Sequence, residues 1–122
     1  MNSLDNYLKY RDSDEDFSFI LRMEYEWDDK QYQILMSKVR DILYEYKDEL
    51  VLPKTIIHFF TSEIDIISGT VSNDVFFTTT PDGISKEDYK KLVLKRKSEL
   101  LELKKMFFSG DFSHLGKHSF FL

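Results

Sequence analysis

Large apolar residues alternate with polar ones between positions 17 and 27. One side of this alternation is occupied by Phe19, Leu21, Met23, Tyr25 and Trp27. The other side is polar except for Ile20. Because successive side chains of a β-strand point to opposite faces, a period of two with many aromatic residues is typical of a half-buried strand. We therefore predict a strand over 17–27 and a small sheet that contains it.

The periodicity changes after Asp28 and Asp29. Both are suitable N-cap residues, and their negative charge favours the positive end of a helix dipole. The apolar residues that follow recur every three or four positions: Tyr32, Leu35, Met36, Val39, Ile42, Leu43, Tyr46 and Leu50. This spacing places them on one face and predicts a helix over about 29–49.

Two further segments are predicted to be helical. Pro53 occupies a favourable first helical position before apolar residues at helical spacing, which predicts a helix over about 53–69. The β-branched and aromatic content of the same segment leaves a β-hairpin as the alternative. Ser85 is a suitable N-cap for a third helix over about 85–108, whose first turn is acidic.

Together these segments predict a mainly helical α+β fold, with three principal helices and a small sheet that includes 17–27. Residues 75–79 are predicted to form a short strand. The apolar C-terminus, HSFFL (118–122), is predicted to dock as an edge strand beside 17–27. A chain of 122 residues has the usual size of one domain, so 1–122 is predicted to be a single domain.

Composition excludes several kinds of site. The chain contains no cysteine, which rules out disulfides, zinc–thiolate sites, iron–sulfur clusters and cysteine nucleophiles. Its apolar runs are a few residues long, far below the ~20 needed to cross a membrane. The N-terminus lacks the basic-then-apolar pattern of a secretory signal. We therefore expect a cytoplasmic protein that does not act at membranes.

The net charge of −5 is unevenly distributed. Residues 1–29 carry nine acidic and three basic side chains, a net charge of −6, whereas residues 81–122 have a net charge of +3. Binding to nucleic acid depends on lysine and arginine, so the acidic N-terminal part argues against a nucleic-acid ligand. It is compatible with a basic protein partner, and equally with a charge that serves only solubility, which is the more common role of any single surface charge.

No residue pattern specifies catalysis. Glu24 and Glu26 on one strand face would lie about 7 Å apart. This separation is compatible with a glycosidase-type carboxylate pair, but any strand with two such acids meets that criterion. We therefore predict a protein that is not an enzyme and has neither catalytic residues nor a cofactor. A hydrolase that uses Glu24 and Glu26 is the least favoured alternative.

No metal site is predicted either. Asp12, Asp14 and Asp16 begin like a calcium loop, but the glycine and the closing glutamate of that motif are missing. His114 and His118 are four residues apart, yet the stretch contains a glycine and has no evident third ligand.

The remaining interpretation is protein recognition. Aromatic residues among carboxylates are typical of a surface that binds a basic protein, because rings contribute contact area and acids speed association. The alternation alone favours Trp27 as a core residue at a strand–helix junction, and its ring can lie inside while its acidic neighbours lie outside. The predicted partner-binding residues are Asp14, Glu15, Asp16, Glu24, Tyr25, Glu26, Trp27, Asp28 and Asp29.

Four stretches follow one another along the chain: EYEWDDKQYQIL (24–35), DILYEYKDELVLP, SKEDYKKL and KKMFFSGDF (104–112). Together they resemble a family of bacterial immunity proteins from polymorphic toxin systems, the immunity protein 41 family. The resemblance implies a non-catalytic protein that binds and neutralises the C-terminal domain of a cognate toxin. Many toxin domains of this kind act on nucleic acids and are basic, which suits an acidic inhibitor. A cytoplasmic adaptor or regulatory binding module is the alternative that the residues leave open.

Overall fold

The structure is a computed structural model that describes residues 2–109. Its elements follow one another as α1 (Ser3–Arg11), α2 (Phe17–Glu24), α3 (Asp29–Glu45), α4 (Lys54–His58), a π-helical turn (Phe59–Glu63), α5 (Ile64–Val71), a 3-10 helix (Asp74–Thr78) and α6 (Lys86–Ser109). Helices α1 and α2 pack on α3, and α5 packs on α6. None of the helices within residues 2–109 is both long enough and apolar enough to cross a bilayer.

The predicted α+β class is wrong, because residues 2–109 contain helices and no strand. The supposed strand over 17–27 is helix α2 followed by a short connection. Phe17 and Leu21, four residues apart, are buried, whereas Met23 and Tyr25 are exposed. Ile20, which interrupted the alternation, belongs to the helical spacing. The Asp16 carboxylate caps α2 by accepting a hydrogen bond from the Phe19 N–H at 3.0 Å.

A strand at 17–27 would also have needed a partner. An isolated strand leaves its backbone N–H and C=O groups unpaired, while a helix pairs them within itself. The second predicted strand, 75–79, is largely the 3-10 helix, and it buries Phe76 and Phe77. The predicted edge strand at the C-terminus lies outside the described residues.

The three predicted principal helices are present. Helix α3 starts at Asp29 as predicted, because the Asp28 side chain caps it by accepting a hydrogen bond from the Gln31 N–H. It ends at Glu45, four residues before the predicted boundary. Helix α6 begins at Lys86, where the Ser85 hydroxyl accepts a hydrogen bond from the Asp88 N–H.

The segment 54–71 is helical throughout, so the β-hairpin alternative is wrong. Its middle is a π-helical turn in which the Ile64 N–H bonds to the Phe59 carbonyl, five residues back. The wider turn lets the consecutive residues Phe59 and Phe60 both face the core. Phe60 then stacks on Phe107 of α6, with ring centroids 4.1 Å apart.

The buried apolar residues of 2–109 form one continuous core that is rich in aromatic rings. Trp27 lies within it, 4.7 Å from the Phe17 ring and 5.2 Å from the Tyr32 ring between centroids. The connection from α2 to α3 is held to α6 by the Trp27 N–H, which donates to the Tyr89 hydroxyl at 2.9 Å. This anchoring fixes the position of the acidic residues on either side of Trp27.

Candidate functional site

The connection between α2 and α3 displays an aromatic ring at the surface. Tyr25 ends α2 with φ 54° and ψ 41°, the left-handed conformation that glycine usually supplies at this position. It is the only non-glycine residue of the described chain with positive φ. The residue is 41% exposed, and its ring meets the buried Phe76 edge-on, 5.0 Å away between centroids.

Carboxylates surround this connection. Glu26 lies in the electrostatic field of Glu24, Asp28 and Asp82, and partial burial together with their repulsion raises the pKa of the Glu26 carboxyl. None of these four side chains forms an ion pair with a lysine or arginine of residues 2–109. We call Glu24, Glu26, Asp28 and Asp82 the acidic surface. No ion pair from residues 2–109 offsets its negative charge, which would attract a cationic partner.

The nine predicted partner-binding residues do not form one surface. Asp14 and Glu15 are exposed in the turn before α2, at the opposite end of that helix. An eight-residue helix is about 12 Å long, which separates this pair from Glu24 and Glu26. Asp28 belongs to the acidic surface, although its carboxylate also caps α3.

Three of the predicted residues have interior contacts. Trp27 is 3% exposed and Asp16 is also 3% exposed. The Asp29 carboxylate receives two hydrogen bonds from the Arg96 guanidinium, each 2.9 Å long, and one from the Trp27 indole at 3.1 Å. These three side chains therefore hold the scaffold together, and Trp27 and Asp16 are too buried for a partner to reach without rearrangement.

The ion pair between Asp29 and Arg96 joins α3 to α6. Burial alone would raise the pKa of the Asp29 carboxyl, but hydrogen bonds from Arg96, Gln33 and Trp27 outweigh it and lower that pKa. Arg96 also donates to Glu99 at 3.1 Å. The second oxygen of Glu99 and the hydroxyl of Tyr32 are buried and have no hydrogen-bond partner among residues 2–109.

A cavity of about 560 Å³ lies next to the acidic surface, and Tyr25 borders both. Its volume is within the range of small-molecule sites. Helix α2 and the segment 54–71 form most of its wall. The lining residues are Arg11, Ser18, Leu21, Arg22, Tyr25, Thr55, His58, Glu63, Ile66, Ile67 and Thr70.

Three of these lining residues, Arg11, Ser18 and Glu63, belong to a partly buried polar cluster that also includes Asp16, which is not part of the lining. The Arg11 guanidinium forms a two-point ion pair with Glu63, in which Nη1 lies 2.9 Å from Oε2 and Nη2 contacts Oε1. Its Nε lies 2.8 Å from Oδ1 of Asp16. The Ser18 hydroxyl donates to the Glu63 carboxylate at 2.6 Å. Burial raises the pKa of the Asp16 carboxyl, although Arg11 opposes the shift.

The π-helical turn explains the position of Glu63. It is the last residue of the turn, next to the buried Ile64. π-Helical turns within α-helices occur frequently at functional sites. The sequence contained a signal for this cluster, since Glu63 lies three residues after Phe60 and four before Ile67, both apolar core positions. A carboxylate at such a position needs an ion-pair or hydrogen-bond partner. The sequence did not identify Arg11 as that partner.

Asp82 was also missed by sequence reasoning. It follows Pro81 in the turn between the 3-10 helix and α6, far along the chain from Glu26, and only the folded chain brings the two together. Glu24 and Glu26, the pair considered for hydrolysis, are not among the residues that line the cavity. Residues 2–109 contain no group of three or more potential metal ligands.

The chain was compared with known proteins in three ways. A scan of protein families, a search of curated proteins and a search of solved structures each found no match.

Proposed function

We propose that this protein is an immunity protein that binds a basic bacterial toxin domain and neutralises it without catalysis. The acidic surface would be the centre of the interface, with the exposed ring of Tyr25 as its aromatic contact. The observation that carries the proposal is the uncompensated charge around Glu26, where four carboxylates lie together without an ion pair from residues 2–109.

Electrostatics explains why such a surface suits an inhibitor. Complementary charge steers a basic partner toward the acidic side and raises the association rate, which matters when a toxin must be captured before it acts. Like charges held together cost folding energy, and a bound cation relieves that repulsion. The interface of a standard complex buries about 800 Å² on each partner, so it would extend well beyond the acidic surface.

The resemblance to the immunity protein 41 family supports the same proposal through the scaffold. Its Trp-Asp-Asp motif consists of the buried Trp27, the N-cap Asp28 and the ion-paired Asp29. These residues determine how α3 starts and how it meets α6. The partner would be recognised by the neighbouring side chains Glu24, Tyr25, Glu26 and Asp82.

The proposal is tested by co-expression. The candidate toxin domain would be the variable C-terminal domain of a secreted protein, if one is encoded immediately upstream. That domain is expressed with this protein in a sensitive bacterial host, and survival is compared with survival of the host that carries the toxin domain alone. We expect the host to survive expression of the toxin domain only when this protein is expressed with it.

The charge-reversal variant Glu24→Lys, Glu26→Lys, Asp82→Lys should lose protection. A control variant reverses three exposed carboxylates at the end of α3 and beyond it, Glu45→Lys, Asp48→Lys and Glu49→Lys, and should still protect. A wild-type protein that gives no protection and forms no complex with the domain would favour the adaptor alternative.

A further inference from the structure

Two helix faces form the long walls of the cavity beside Tyr25. Four lining positions on each wall are separated by three, four and seven residues, a spacing that places side chains on one side of a helix. These residues are Ser18, Leu21, Arg22 and Tyr25 on one wall and Glu63, Ile66, Ile67 and Thr70 on the other. The first members of the two sets are in contact, because the Ser18 hydroxyl donates to the Glu63 carboxylate at 2.6 Å. The cavity therefore extends from this contact along both walls toward Tyr25 and Thr70.

The end of the cavity at Glu63 is paired within the protein. Both oxygens of the Glu63 carboxylate accept hydrogen bonds from the Arg11 guanidinium, and Oε1 also accepts one from Ser18. Asp16 contacts Arg11 as well, but it does not line the cavity. Within the lining, Arg11 and Glu63 therefore cancel each other's formal charge, and this end of the cavity does not select for a charged ligand.

The middle of the cavity carries a guanidinium without an acidic partner. Arg22 lines the cavity and forms no ion pair with any carboxylate of residues 2–109. Its guanidinium lies 5.9 Å from the centroid of the Phe19 ring, a contact that leaves its N–H donors available. With His58 counted as neutral, the remaining formal charge of the lining is the positive charge of Arg22. A ligand that complements this part of the cavity brings acceptor atoms and a negative charge.

The acidic surface does not neutralise Arg22. Glu24 is two residues further along α2, and side chains two positions apart on a helix do not face each other. The charges that act on the Glu26 carboxyl are those of Glu24, Asp28 and Asp82, and Arg22 is not among them. None of the four acidic-surface residues lines the cavity. An anion bound to Arg22 would therefore contact a guanidinium, while the acidic surface would act on it only at longer range, where salt screens the repulsion.

The lining around Arg22 is largely apolar. Leu21 and Ile67 are buried, and Ile66 is exposed at the edge. An alkyl chain that covered these side chains would remove apolar surface from water, which favours binding roughly in proportion to the area buried. Cavities that bind small molecules are typically built in this way, with apolar walls and a few polar groups that fix the orientation of the ligand.

We propose that this cavity binds an aliphatic carboxylate, whose carboxylate group forms a two-point ion pair with Arg22 and whose alkyl chain lies along Leu21, Ile66 and Ile67. Arginine suits this head group because its planar guanidinium matches the two oxygens of a carboxylate. The cavity volume of about 560 Å³ is sufficient for a chain of medium length, such as that of octanoate. This site is separate from the acidic surface and does not depend on toxin binding.

The head-group requirement is tested with three probes that share one alkyl chain: octanoate, octanol and octylammonium. Binding to the full-length protein is measured by titration calorimetry at one ionic strength and mapped by amide NMR shifts. We expect octanoate to bind saturably, octanol to bind about tenfold or more weakly because it lacks the charge, and octylammonium not to bind at this site. Octanol or octylammonium binding as tightly as octanoate would overturn the proposal, and so would a failure of octanoate to bind.

The variant Arg22→Gln removes the proposed head-group contact at an exposed position. It should weaken octanoate binding about tenfold or more, the effect of losing a charge-assisted interaction, and should leave octanol binding unchanged. Its control is Arg40→Gln, which removes the same charge from an arginine outside the cavity lining and should not change the affinity for octanoate. Equal octanoate affinity in wild type and Arg22→Gln would show that Arg22 does not hold the carboxylate and would overturn the proposal.

A second variant tests the position of the alkyl chain. Ile66→Trp fills the opening of the cavity from an exposed position and should abolish octanoate binding. Ile57→Trp, at an exposed position outside the cavity lining, should leave octanoate binding unchanged. If Ile66→Trp bound octanoate as tightly as wild type, the alkyl chain would not lie in this cavity and the proposal would be wrong. None of these variants alters the acidic surface, so the results are independent of the test of toxin binding.

Discussion

Arg11 and Glu63 are 52 positions apart in the chain and form a two-point ion pair between α1 and the π-helical turn. The same guanidinium contacts Asp16, which caps α2. One side chain therefore connects three helical segments, and its position explains how the N-terminal helices are held.

Replacing Arg11 tests whether this connection stabilises the fold. Arg11→Met would leave the Asp16 and Glu63 carboxylates without their counter-ion in a partly buried setting. We expect the free energy of unfolding to fall by about 3 kcal/mol, as for other buried ion pairs that lose one partner. Urea unfolding followed by circular dichroism measures the change.

The matched control for that experiment is Arg40→Met. Arg40 pairs with the exposed Asp41 at 3.4 Å, and surface pairs contribute about 0–1 kcal/mol. Equal losses in Arg11→Met and Arg40→Met would mean that the ion pairs of Arg11 add no more stability than a surface contact.

The wrong prediction of a strand in place of α2 shows which elements of this fold can be predicted from the sequence. The helices α3 and α6 were predictable because their periodicity spans several turns and a capping residue marks each start. Helix α2 is only eight residues long, and an eight-residue pattern with large residues at 17, 19, 20 and 21 fits either period. The choice between strand and helix depends on whether another strand is available to pair with this segment. That availability is a property of the whole fold.

The candidate site was predictable only in part. Glu24, Glu26 and Asp28 were identified because they are close in sequence to an aromatic residue. Asp82 could not be placed with them from the sequence, since a turn more than fifty residues later brings it there. Asp16 and Asp29 had the right charge for recognition, but each pairs with an arginine inside the fold. Asp16 pairs with Arg11, five residues earlier, and Asp29 pairs with Arg96, 67 positions later.

The contact between Asp29 and Arg96 predicts that the stability of the folded protein depends on pH in the acidic range. The pKa of Asp29 is lower in the folded protein than in the unfolded chain, so the folded state binds fewer protons there. The stabilisation is therefore present above the ordinary aspartate pKa of about 3.9 and is lost as the pH falls through the lower, folded-state value.

The variant Asp29→Asn should remove this dependence. At neutral pH we expect its free energy of unfolding to be lower by about 2 kcal/mol, between the values for exposed and buried ion pairs. The difference from wild type should shrink as the solution is acidified, which urea titrations at several pH values would measure. A difference that stays constant with pH would contradict the role of the charged pair.

The left-handed conformation of Tyr25 predicts an inverted preference for glycine. A β-carbon in this conformation costs about 1–2 kcal/mol, whereas glycine adopts it without that cost. Tyr25→Gly should therefore be more stable than Tyr25→Ala by about 1 kcal/mol, the opposite of the order within a helix. Thermal unfolding of the two variants measures the difference.

Both of these variants lose the contact with Phe76, so that loss cancels in the comparison. A matched pair at Thr61, an exposed position in the π-helical turn without positive φ, should show the usual order, with alanine the more stable. If alanine were the more stable residue at position 25 as well, the backbone there would not be left-handed in solution.

The central claim is that the acidic surface binds a basic toxin domain, and the most direct test is the affinity of the charge-reversal variant for that domain. Surface plasmon resonance is measured with wild type, with Glu24→Lys, Glu26→Lys, Asp82→Lys, and with the control Glu45→Lys, Asp48→Lys, Glu49→Lys. We predict that reversal at the acidic surface weakens binding by about a hundredfold or more, because like charges then meet across the interface. The control, with the same change in net charge, should lose less than about tenfold, as expected for screened distant charges. Equal losses in the two variants, or none in either, would contradict the account.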